Sequence, residues 1–278
     1  MLEGLIKDFL VELQLTGRSD KTVEAYKYHL EKFARFCKKN GYDFHAINGK
    51  ESRAFRNWLV ELGLKPTTIN SIIAATKSFY DFLVEEEVVK GNPIISRRLR
   101  VAEGKSLPAF LTKTEERKIL SHLAALPYHV GLAFKTMLAS GLRVSEAAAL
   151  KAEDILVQQG GVFLVVKHGK GDKARMVPVT NATIAHELIA FAQEKAQDEK
   201  LFGVTDRTLK WYAQKIKQAT GVDFHSHRLR HTLATRLLAK GTPIDVVQEI
   251  LGHQNINTTR RYARTSPEKI YQLAAKIG

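Results

Sequence analysis

Cysteine is all but missing from this chain. Cys37 is the single one in 278 residues, so no intramolecular disulfide and no cysteine-based zinc site can form. It sits in FARFC, an apolar helical pattern that suits a buried thiol. Long apolar runs are missing as well. None approaches the roughly 18 residues needed to cross a bilayer. The opening MLEGLIKDFLVELQ mixes acids with apolar residues, which fits an amphipathic helix and not a signal peptide. A cytoplasmic protein with no membrane contact is expected. Acids are in short supply: 29 Asp+Glu stand against 43 Lys+Arg, a net charge of +14. Such a surface suits a polyanion, and nucleic acid before an acidic membrane. Residues 1–100 hold 17 basic and 13 acidic side chains and residues 101–278 hold 26 and 16, so anion binding should concentrate in the second part. Hydrophobic residues make up 44%, enough for a core and against disorder.

The first hundred residues carry no strand pattern. KTVEAYKYHLEKFARFCKKNG has Val23, Tyr26, Leu30, Phe33 and Phe36–Cys37 on one helical face, with Ser19 or Asp20 to cap it and Gly41 to stop it. SRAFRNWLVELG is a shorter amphipathic segment. LKPTTINSIIAATKSFYDFLVEEE starts at Pro66 and runs apolar through Ile69, Ile72, Ile73, Phe79 and Leu83. With the N-terminal helix that makes four, a domain over 1–95. Asn92-Pro93 stops the pattern, and residues 96–108, with Gly104 and Pro108, read as an interdomain linker. Its Arg97, Arg98 and Arg100 can touch a phosphate backbone or simply be solvated.

Residues 109–278 form the second domain. Thr112 or Thr114 can cap a helix, and Gly141 ends another. Then the period changes. DILVQQGGVFLVVKHGKGDKARMVPV reads as three short strands broken by QQGG and HGKGDK. Helices resume from ATIAHELIAFAQEK to the end. The expected fold is mainly α with a small antiparallel β-sheet: an all-helical N-terminal domain followed by an α+β domain.

HSHRLRH, residues 225–231, holds three histidines and two arginines, and can be read as a metal site or an anion site. His227 and His231 have the i, i+4 spacing of zinc ligands in H-E-x-x-H, but Arg228 stands where that motif needs glutamate. No carboxylate lies between Asp223 and Asp245 to complete a shell, so no metal is expected. The anion reading fits better. His227 and Arg230 are three apart at a helix start, where free N–H groups and the dipole favour negative charge. The guanidinium fork matches two phosphate oxygens. A plain DNA-backbone contact fits equally well at this point.

Other positions extend the set. GLRVSE puts Arg143 after the helix-ending Gly141, with Glu146 three residues on to orient it or to serve as a first-turn acid. HGKGDKAR puts Lys170 between two glycines at a hairpin tip, followed by Lys173 and Arg175, which can lie on a DNA backbone or in solvent. No Lys-Ser/Thr follows, so this is not a P-loop. In TPIDVVQEILGHQNINTTRRYAR, Thr242 and Pro243 start a helix, Gly252 ends it and His253 comes next. Tyr262 follows nine residues later among Arg260, Arg261 and Arg264. Taken alone, such a tyrosine is more often a packing residue. Beside cations its hydroxyl ionises more readily.

GLRVSE, GKGDKARMVPV, HRLRHTLATRLL, LGHQNINTT and Tyr262, in that order, resemble the tyrosine recombinases of the lambda-integrase class. The family pattern of Arg, Lys, His-x-x-Arg, His or Trp, then Tyr matches Arg143, Lys170, His227, Arg230, His253 and Tyr262. KTVEAYKYHLEKFARFC and LKPTTINSIIAATKSFYDFLVEEEVVKGNPI resemble the family's core-binding domain. The likeness covers nearly the whole chain, and LGHQNINTTRRYAR resembles the Xer subgroup, which resolves chromosome dimers.

The resemblance implies an enzyme that cuts and rejoins DNA through a 3′-phosphotyrosyl intermediate, without metal, nucleotide or other cofactor. Tyr262 would be the nucleophile. Arg143 and Arg230 would clamp the nonbridging oxygens and Lys170 would protonate the leaving 5′-oxygen. His227 would move a proton to or from the tyrosine, His253 would hydrogen-bond the phosphate, and Glu146 would orient its neighbour. The two domains would grip a double-stranded recombination site from opposite sides. Four copies would assemble on paired sites, near the nucleoid, with or without a partner recombinase or translocase. A mobile-element integrase and a noncatalytic DNA-binding protein of the same fold are the alternatives.

Overall fold

The computed structural model describes residues 1–104, 110–158, 161–167 and 174–252. The chain divides into two compact units, Met1–Lys105 and Ser106–Gly278.

The first unit is helical: α1 (Leu2–Leu15), α2 (Asp20–Asn40), α3 (Gly49–Glu61), α4 (Pro66–Glu85) and a short α5 (Ser96–Leu99). Local signals set the ends. The Ser19 side chain accepts from Thr22 N to start α2, Gly41 closes it at φ +65°, and Asn48 with Glu51 forms a capping box on α3. Their apolar faces meet in one core around Leu30, Phe33, Phe55, Leu59, Ile72, Phe79, Tyr80 and Leu83. The Tyr80 hydroxyl, buried there, donates to the Phe44 carbonyl at 2.9 Å.

Residues 96–101 depart from the linker expected at 96–108. Leu99 is 2% exposed, and the Asn70 amide brackets Val101, donating to its carbonyl and accepting from its N–H, both at 2.9 Å. An apolar side chain and two hydrogen bonds tie this stretch to α4, so the first unit extends past residue 95. Arg97, Arg98 and Arg100 stay exposed on its outside. Residues 105–108 of that expected linker lie outside the described residues.

The second unit builds on α7 (Tyr128–Ser140), whose residues are buried almost all round. Around it lie α6 (Lys113–Leu123), α8 (Val144–Ala149), α9 (Ala182–Gln193), α10 (Asp206–Thr220), α11 (Ser226–Ala239) and α12 (Ile244–Leu251). The strands β1 (Ile155–Gln158), β2 (Gly161–Val166) and β3 (Arg175–Pro178) form an antiparallel sheet in the order β1-β2-β3. Ile155 faces Leu164, and Leu164 faces Val177. Val162, Leu164, Val166 and Val177 turn inward to the core of the unit. Among the described residues no helix is long and apolar enough to cross a membrane.

Two caps are resolved. Thr112, not Thr114, starts α6, in a capping box with Glu115. Thr242 does not cap α12. Pro243 is the N-cap residue there, and its carbonyl accepts from Val247 N. The proline ring fixes φ at −55°, which aims the chain without side-chain help.

Gly141 is the tightest backbone position. It ends α7 at φ +71°, and a Cβ there would lie 2.8 Å from Leu251 Cδ2 and 3.0 Å from Leu233 Cδ2. The left-handed backbone and the close approach both exclude a side chain. Gly141→Ala should destabilise the second unit by roughly 2–4 kcal/mol. Urea unfolding checks it, and a loss under about 0.5 kcal/mol, the surface-substitution range, would count against the account.

Candidate active site

The turn after α7 places Arg143 at the N-cap of α8. Its backbone N–H donates to Glu146 Oε2 at 2.7 Å, and its Nη1 donates to Glu146 Oε1 at 2.6 Å. Glu146 therefore caps the helix and holds the arginine at once. Arg143 Nη2 donates to the Gly252 carbonyl at 2.9 Å. Its side chain keeps 22% exposure and the Glu146 side chain only 3%.

Arg230 arrives from α11 and is 4% exposed. Its Nη1 donates to the Gly141 carbonyl at 2.6 Å, and its Nη2 donates to the Leu251 carbonyl. Two arginines 87 positions apart in the chain thus converge on the last carbonyls of α12, next to the turn at Gly252. Cations belong at a helix C-terminus, where carbonyls lack helical partners.

His227, one helical turn before Arg230, is exposed on α11. Its pKa is lowered, first by partial desolvation, then by the charges of His225, Arg230, Arg143 and Lys210. Near neutral pH it is therefore mainly the neutral imidazole, which can take a proton. The rings of His225 and His227 are 6.5 Å apart. Among the described residues no three His, Cys, Asp or Glu gather as metal ligands would.

Arg228 faces the other way. Its Nη1 donates to the Asp223 carbonyl at 2.6 Å and its Nη2 to the Phe110 carbonyl at 2.9 Å and Glu115 Oε1 at 3.1 Å. Arg236, eight positions on, pairs with Glu116. Both bolt α11 to α6. The cluster HRLRH is therefore split by the helix, with Arg230 turned to α7 and α12 and Arg228 to α6.

Glu146 is bracketed by a second arginine. Arg175 Nη1 and Nη2 donate to its Oε1 and Oε2 at 3.0 and 2.9 Å. Burial alone would raise the Glu146 pKa, but these bonds and those from Arg143 bring it down to about 2. Arg175, expected on a DNA backbone or in solvent, thus turns inward onto a buried carboxylate, its side chain only 12% exposed. The sequence held the signal: Arg175 and Val177 share a face of β3, and a charge at an inward position needs a partner. Lys170, Lys173, His253 and Tyr262 lie outside the described residues.

His231, four positions beyond His227 on α11, is half-buried. Desolvation, then the charges of His227, His225, Arg230 and Arg228, bring its pKa down to about 4. The folded chain therefore keeps it neutral where the unfolded chain, near 6.5, takes a proton. Stability should fall as pH drops from 6.5 towards 4. Between pH 7 and 5, His231→Gln should lose roughly 2 kcal/mol less than wild type in urea titrations. Equal losses in the two proteins would refute the assignment. Glu146 does not blur this window, because its lowered pKa acts only below the ordinary glutamate range.

The family pattern of the phage integrase family matches residues 109–269, more than half of the chain. That of the phage integrase N-terminal SAM-like domain matches residues 6–87. The chain is a tyrosine recombinase of the phage integrase family. It is 32% identical to tyrosine recombinase XerC of Bacillus pumilus, over 96% of this chain and 94% of that one. It is 29% identical to tyrosine recombinase XerA of Thermococcus kodakarensis, over 98% and 94%. Its fold matches XerH site-specific recombinase bound to a palindromic difH substrate, in a post-cleavage complex. There the TM-score is 0.75 at 23% identity, over 91% of this chain and 79% of that one. The recombinase's reaction is therefore the site-specific cutting and rejoining of DNA strands.

Proposed function

We propose that this recombinase resolves chromosome dimers in the manner of the Xer group. Its substrate is a double-stranded recombination site, two copies of which are brought together by four protomers. Tyr262 attacks the scissile phosphorus, the tyrosine oxygen bonds to it, and the 5′-oxygen leaves with a proton from Lys170. The 5′-hydroxyl of the partner strand then displaces the tyrosine. The bond energy stays in the phosphotyrosyl link, so no nucleotide is consumed. Arg143 and Arg230 hold the nonbridging oxygens as their charge grows. His227 takes the tyrosine proton and His253 hydrogen-bonds the phosphate. Glu146 orients Arg143. The N-terminal unit grips the DNA as well, with Arg97, Arg98 and Arg100 on phosphates, and the protein works in the cytoplasm at the nucleoid.

The observation that carries the reading is the meeting of Arg143 and Arg230 at the end of α12. Both are held by carbonyls there, so a phosphate at this place meets two oriented guanidinium groups without first ordering them. The next residue is His253, and Tyr262 follows within ten residues of Gly252.

The test is covalent trapping. The protein is incubated with host chromosomal DNA in EDTA and quenched with SDS, and the DNA that stays attached is sequenced. Adducts at one recurrent locus are expected. Adducts scattered over many loci would favour a mobile-element integrase. Tight binding with no adduct would favour a noncatalytic DNA-binding protein of this fold.

A further inference from the structure

Glu146 sits between two arginines, and only Arg143 has a place in the reaction described above. Arg175 is the other. It opens β3 on the same face as Val177, which is fully buried. Its fork takes both oxygens of Glu146, and its Nε makes a long contact, 3.5 Å, to the Ile250 carbonyl. Its shaft lies against Gly252. A Cβ on Gly252 would come within 2.8 Å of Arg175 Nε and 2.9 Å of Cδ. The Gly252 carbonyl in turn accepts from Arg143. One guanidinium therefore touches the acid that holds Arg143 and the backbone that holds it.

Charge gives this a consequence. One carboxylate shared by two guanidinium groups leaves one positive charge over. With Arg175 removed, Glu146 and Arg143 would form a neutral one-to-one pair. The buried carboxylate would draw the Arg143 fork onto both of its oxygens and away from a phosphate. We propose that Arg175 is a positioning residue for strand transfer: it saturates Glu146 so that Arg143 stays aimed at the scissile phosphate, and it does not itself contact DNA. The proposal rests on Arg143 being a phosphate clamp.

The test uses the full-length protein and a duplex carrying the site recovered by trapping. Wild type and Arg143→Ala come first. A wild type that forms no adduct, or an Arg143→Ala that cleaves at the wild-type rate, would overturn the reading of the site and this proposal with it. With those controls in place, Arg175→Ala should cleave about 10²-fold more slowly, the scale of a misplaced catalytic group. Its salt slope should fall no further than that of Arg143→Ala, and the double variant should fall no further than either, whereas a phosphate contact made by Arg175 itself would lower the slope of the double variant by about one more. The decisive arm is a methylphosphonate at the scissile position, which removes the nonbridging charge. The defects of Arg143→Ala and Arg175→Ala should both shrink there to within a few-fold. A purely structural defect would be the same on both substrates and would overturn the proposal, as would a double variant whose salt slope falls about one below that of Arg143→Ala. Arg175→Lys covers the case in which the alanine variant does not fold. It keeps the charge but not the fork, so its defect should be smaller than that of Arg175→Ala yet show the same recovery on the neutral phosphate.

Discussion

Tyr262→Phe should abolish the SDS-resistant adduct between this recombinase and DNA. The substitution removes one oxygen and leaves the ring. Packing and DNA affinity should therefore hold while the proposed nucleophile is gone. Removal of a catalytic nucleophile acts on a scale of about 10⁶-fold, which here means no detectable adduct. Tyr271 is the control. It stands in YQLAAKIG, outside the family pattern, and Tyr271→Phe should keep its adducts. Trapping both variants on the same DNA decides between them. Adducts that persist in Tyr262→Phe but vanish in Tyr271→Phe would move the nucleophile to Tyr271.

Arg230→Ala should damage both rate and stability, because the side chain does two jobs. Towards the substrate, in the proposed reaction, it would stabilise the charge that grows on phosphate oxygens, and the loss of one such donor costs about 10²–10³-fold in rate. Towards the protein it satisfies the carbonyls of Gly141 and Leu251 while being 4% exposed. Leaving two buried acceptors without their donor costs roughly 2–4 kcal/mol. Arg230→Lys separates the two effects. Lysine restores the charge but has no planar fork to reach two carbonyls and a phosphate together. It should recover part of the stability and little of the rate. Single-turnover cleavage and urea midpoints measure both. Full activity in Arg230→Lys would mean that charge alone suffices and orientation does not matter.

Much of the architecture was legible because it is written locally. Gly41, Gly141 and Gly252 were readable as helix stops, and each takes the left-handed turn that suits glycine. The three strands stood out by their Val, Leu and Ile content between QQGG and HGKGDK. Thr242 was misread because threonine and proline both start helices, and their order alone does not say which takes the cap. The linker was misread at residues 96–101 because RRLR looks solvated, while Leu99 and the amide of Asn70 in α4 bind it down.

By itself, then, the sequence determined the family and the mainly helical, two-part plan. The plan follows from periodicity and capping, which act over a few residues, and the family from the order of the motifs between Gly141 and Tyr262. Only the tertiary structure decided what each arginine does. Arg228 locks α11 to α6, Arg230 turns to the end of α12, and Arg175 pairs with the buried Glu146. An arginine's role is set by the acceptors that surround it. Here those lie 113 positions away for Arg228, 21 and 89 for Arg230 and 29 for Arg175. Spacing along the chain carries no record of such partners until packing brings them together.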